Sequence, residues 1–61
     1  MREWLIDKRN KKGLSKAEVG REIGVDATLI GKYERGERTP RPATAQKLGK
    51  LLGFEWTKFY S

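Results

Sequence analysis

The chain has no cysteine and no histidine. The first absence excludes disulfides and thiolate zinc sites as sources of stability. The second removes the commonest general base, the commonest metal ligand and the Ser-His and Cys-His nucleophile pairs. No other nucleophile–base pair or metal cluster stands out, so neither an enzyme nor a cofactor, metal or small-molecule ligand is expected. Long apolar runs are missing too, and a bilayer span needs roughly 20 such residues. The N-terminal stretch carries Glu3 and Asp7 and lacks the apolar core of a signal peptide. With no cysteine, this predicts a cytoplasmic protein. Acidic residues are in the minority: 8 Asp and Glu stand against 14 Lys and Arg, a net charge of +6. Such an excess favours a polyanionic partner, either nucleic acid or an anionic membrane surface.

What is present reads as one small all-α domain over residues 1–61. A chain this short cannot form two cores, and its stability must come from well-capped, well-packed helices or from a partner chain. Hydrophobic period and end signals predict five short helices. The first runs from about Arg2 to Lys11, with Trp4, Leu5, Ile6 and Met1 as candidates for its apolar side, and Gly13 ends it. The second starts at the N-cap Ser15, with Glu18 completing a capping box and Leu14 and Val19 placed as a hydrophobic staple. Gly24 stops it. The third has Asp26 as N-cap, a second staple in Val25 and Ile30, and Gly36 at its end. Ile30 and Tyr33 form its inward face, with Leu29 beside them. A turn-rich stretch from Glu37 to Arg41 leads to Pro42, which suits the first position of a fourth helix. Ala45, Leu48 and Leu52 give that helix its apolar face, and Gly53 terminates it. A last short helix is expected over about Glu55 to Tyr60.

Residues 15–35 form a helix-turn-helix for steric reasons. Two helices joined by a turn of three or four residues cross at about 90–120°. Gly20 is the small residue that lets the backbones approach, and Gly24 supplies positive φ for the turn. Here the chain resembles the phage repressor and Cro-like helix-turn-helix (Xre) family. The carriers are "KKGLSKAEVGREIGV", "IGKYERGERTP" and "KLGKLLGFEWTKFY". The resemblance implies a compact five-helix bundle of the lambda-repressor-like type. It also implies operator binding by a dimer, with the third helix in the major groove. The expected function is therefore that of a sequence-specific regulator, a repressor on a pseudo-palindromic double-stranded operator, nucleoid-associated when bound. Two positions depart from the family pattern. Lys16 stands where glutamine is usual, and Lys8 at a first-helix core position that is usually apolar.

By family position, Ala27, Thr28, Gly31 and Lys32 face base edges. The chemistry agrees: Lys donates to guanine, Thr bonds a base or touches a thymine methyl, and Ala packs on that methyl. The bland alternative is a solvated helix face. Gly31 costs roughly 1 kcal/mol relative to alanine in mid-helix. Either the backbone approaches DNA closely there, or the helix frays until DNA binds, or the glycine is a tolerated weak spot. Lys16, at a helix N-terminus, is a candidate phosphate contact, as are Arg35, Arg38 and Arg41, against the alternative of solvated charges. Lys11 and Lys12 read as a solvated helix end. Trp4, Trp56 and Phe59 read first as core, because a bundle this small needs large side chains. One small core cannot easily bury every ring, so Trp56, Phe59 and Tyr60 are also the expected dimer surface, the dimer forming firmly only on DNA.

Three rival functions use the same features. An antitoxin-type or partner-binding module shares the fold, with DNA binding serving autoregulation, but no extra segment offers itself to such a partner. RNA binding usually needs exposed aromatics on a sheet or loop. A basic amphipathic membrane peptide would not need the caps, glycines and staples of a specified fold.

Overall fold

Local end signals place the helices. In the computed structural model, which describes Met1–Ser61, these are α1 (Glu3–Lys11), α2 (Lys16–Ile23), α3 (Ala27–Arg35) and α4 (Pro42–Leu52). No strand is present. The fifth expected α-helix is corrected to a 3₁₀ helix over Trp56–Tyr60. Its five residues are too few to sustain an α ladder, and 3₁₀ geometry suits short pieces. Three residues per turn also bring Trp56 and Phe59 onto one side.

The capping box of α2 is complete. Ser15 Oγ accepts from the Glu18 amide at 3.0 Å, and the Ser15 amide donates to Glu18 Oε1 at 2.8 Å. That amide is the main reason the Glu18 carboxyl lies below its ordinary range. Asp26 caps α3 by accepting from the Thr28 amide at 3.1 Å. Arg41 precedes Pro42 at the start of α4 and makes no side-chain cap.

Two glycines set how closely the elements approach. A Cβ at Gly20 would collide with the Val25 carbonyl oxygen, so only glycine permits the tight crossing of α2 on α3. A Cβ at Gly49 would lie 2.6 Å from the Phe54 carbonyl oxygen and 3.3 Å from Trp56 Cβ. Gly49 thus lets the 3₁₀ helix fold back onto α4. The sequence pattern marked the first of these glycines and not the second.

The core comprises Leu5, Val19, Ile23, Ile30, Tyr33, Ala45, Leu48, Leu52 and Phe59. Trp4, Leu14, Val25, Leu29, Leu51, Phe54 and Trp56 pack around it. Met1 is 76% exposed and adds nothing to the apolar side of α1. Lys8 is half-buried, and α1 docks through Leu5, Trp4 and Arg9. Phe59 is 7% exposed, in edge contact with Trp4 and Phe54. It belongs to the core of the folded monomer.

An ion pair inside the bundle adds to the apolar core. Glu34 is buried, and Arg9 grips it side-on, Nε to Oε2 at 2.6 Å and Nη2 to Oε1 at 3.3 Å. The same guanidinium donates to the Leu14 carbonyl at 2.9 Å, joining α1, the α1–α2 turn and α3. Arg2 closes the other side of α3. Its amide donates to the Glu34 carbonyl, and its guanidinium to the carbonyls of Tyr33 and Arg38 and to Thr39 Oγ1. A cation is well placed at that helix end, where carbonyls lack intrahelical partners.

Candidate nucleic-acid interface

The amphipathic pattern of α3 buries Ile30 and Tyr33 and therefore turns Ala27, Thr28, Lys32 and Arg35 outward. Thr28 and Arg35 are exposed, and Ala27 and Lys32 are half-buried. In a helix-turn-helix this face belongs to the second helix, whose N-terminal residues reach base edges when it lies in a major groove. α3 runs unbroken through Gly31.

Gly31 itself is covered. Arg35, one turn later, lays its guanidinium back over it, so that a Cβ there would lie 3.1 Å from Arg35 Nη1. The Lys16 ammonium closes from α2, 3.8 Å from the same point. Three candidate DNA contacts, Lys16, Gly31 and Arg35, thus meet at one place. The role of Gly31 as a bed for a guanidinium was not legible, because nothing in the local pattern says which way a terminal arginine folds.

Arg35 is also ion-paired. Its Nε donates to Glu37 Oε2 at 2.8 Å and its Nη2 to Glu37 Oε1 at 3.4 Å. This hydrogen-bonded pairing holds the Glu37 carboxyl below its ordinary range and pushes the Arg35 guanidinium up. The other candidate cations, Lys16, Lys32, Arg38 and Arg41, have no carboxylate partner, since Arg9–Glu34 is the only other ion pair. Arg38 and Arg41 are exposed on the loop leading to α4.

Around Pro40 the loop is pinned. Pro40 is buried, and its carbonyl accepts from the Tyr60 hydroxyl at 2.6 Å. The Tyr60 ring is nevertheless 47% exposed, and Trp56 beside it is half-buried. Two shallow grooves flank Leu51, bordered by Glu22, Arg21, Lys47 and Lys50, and no residue lining them comes from α3. No group of carboxylates could hold a metal ion. No helix is long and apolar enough to cross a membrane.

A glycine-tight pair of helices with an outward, cation-bearing second helix defines the helix-turn-helix class of DNA-binding proteins. The chain matches the helix-turn-helix family over residues 5–59, and it belongs to that family, the Cro- and phage-repressor-like DNA-binding proteins of transcription-regulator type. It is 35% identical over 60 residues to the uncharacterized HTH-type transcriptional regulator YqaF of Bacillus subtilis (strain 168). That alignment covers 98% of this chain and 79% of the relative. No solved structure matches.

Proposed function

We propose that the chain, as a single domain over residues 1–61, is a transcriptional repressor that reads a pseudo-palindromic operator as a dimer. The observation that carries this is the convergence of Lys16 from α2 with the outward face of α3. Ala27, Thr28 and Lys32 are assigned to base edges, on the side chemistry that suits them. Gly31 lies beside them beneath Arg35, and its missing side chain leaves room for the Arg35 and Lys16 cations at that face. Lys16, Arg35, Arg38 and Arg41 are assigned to phosphates, which set register and orientation without reading sequence.

Size argues for two copies. The domain measures 25 × 21 × 20 Å. Half-sites on one face of a duplex lie about one helical turn, roughly 34 Å, apart. One copy covers too few base pairs to stand out among a genome's competing sites. The seam is assigned to Tyr60 and Trp56, because they leave aromatic surface outside while Phe59 is buried. Charge neutralisation and alignment on DNA let this protein–protein contact be small.

Lys16→Ala and Lys32→Ala separate the two kinds of contact. Loss of Lys16 is expected to weaken binding to all sequences about equally. Loss of Lys32 is expected to cost roughly 1–3 kcal/mol at the preferred site and to relax preference at one position. Selection from a randomised duplex library reads this directly. Identical preference profiles for the two variants would show that the roles are misassigned.

A further inference from the structure

The acidic residues in α3 and immediately flanking it are Asp26, Glu34 and Glu37. Asp26 caps α3 and Glu34 is buried against Arg9. Glu37 does neither. Its side chain is 55% exposed, and its only partner is Arg35, itself 44% exposed. An exposed pair of this kind adds little to stability. Its position is what matters. The carboxylate engages two nitrogens of the only ion-paired cation among the candidate DNA contacts, and it holds that guanidinium over Gly31 beside the Lys16 ammonium. A side-on grip on an arginine fork is also the geometry in which a phosphate would take it. Arg35 ends α3, one residue before the loop that carries Arg38 and Arg41, and the proposed function assigns it with them to phosphate.

We propose that Glu37 is an intramolecular competitor of DNA phosphate for Arg35, and that it limits sequence-independent binding to duplex DNA. In the free protein the carboxylate fills the edge of Arg35 that a phosphate would take. Binding exchanges one anion for another, so Arg35 releases fewer counterions than an unpaired cation releases. The inference rests on α3 and Lys16 forming the DNA-binding face.

The test is a double-mutant cycle on a short duplex of mixed sequence, with affinity measured against salt. Glu37→Gln is expected to raise affinity about two- to five-fold per protomer at low salt. It is also expected to steepen the salt dependence by nearly one phosphate equivalent per protomer. In the Arg35→Ala background the same substitution is expected to give much less, because the competitor then has nothing to compete for. Glu37→Ser, another neutral residue at an exposed site, is expected to reproduce the gain of Glu37→Gln. Equal gains with and without Arg35 would overturn the proposal and assign Glu37 a general charge effect. No gain in either background would overturn it outright. A chain that binds no duplex in any of these forms would instead refute the DNA-binding face on which it rests.

Discussion

Glu34→Ala is expected to leave the chain largely unfolded at 25 °C. The Glu34 side chain is 6% exposed and that of Arg9 14%. Removing the carboxylate strands a guanidinium in a site from which water is mostly excluded. Breaking a buried pair from one side costs about 3–5 kcal/mol. A core in a domain of this size rarely supplies more than about 3–5 kcal/mol in total, so the loss matches what is available. The pair also joins α1 to α3, so the cost is not confined to one element. Replacing both partners with apolar residues, Arg9→Met with Glu34→Leu, is expected to recover most of the stability, because no unpaired charge remains. The recovery stays incomplete by about 1 kcal/mol, since the Leu14 carbonyl loses its guanidinium donor. Urea unfolding followed by circular dichroism reads all three proteins. A Glu34→Ala unfolding free energy within about 1 kcal/mol of the parent would show that the pair is an incidental contact.

DNA affinity is expected to fall by on the order of 10³–10⁵ between about 50 and 200 mM salt, for a dimer touching about 6–10 phosphates. Lys16, Arg35, Arg38 and Arg41 supply four cations per protomer and so about eight per dimer. Each phosphate neutralised contributes a slope of about −0.9 in log K against log salt. Three of the four cations are free of ion pairs, so their counterions are available for release. Arg35 contributes less while Glu37 holds it. A titration that is flat in salt would contradict a phosphate-binding role for this set.

The parts of this molecule visible in its sequence are those written within a few residues. Ser15 with Glu18, Leu14 with Val19, and Asp26 before Ala27 each act across one helical turn, so their spacing alone locates them. Gly20 and Gly24 were legible for the same reason. The hidden parts join residues distant in the chain. Arg9 and Glu34 are 25 residues apart, and nothing in the pattern of the third helix, whose inward face reads as Ile30 and Tyr33, marks Glu34 as buried. Arg2 looks like a first-helix residue, yet its guanidinium serves the end of α3. Gly49 resembles a mild defect in α4 until Phe54 and Trp56 fold back onto it. The candidate interface divides the same way. Thr28 and Lys32 follow from helical spacing within the motif. The Arg35–Glu37 pair over Gly31 depends on how two exposed side chains fold, which periodicity does not record.

The outward face of α3, with Lys16, is the surface we propose meets DNA. Amide shifts in an isotope-labelled chain, followed by NMR during titration with duplex DNA at low salt, test it residue by residue. The largest changes are expected at Lys16, Ala27, Thr28, Gly31 and Lys32, extending along the loop through Arg38 and Arg41. Changes centred instead on Glu22, Lys47 and Lys50 around Leu51, with α3 undisturbed, would contradict it.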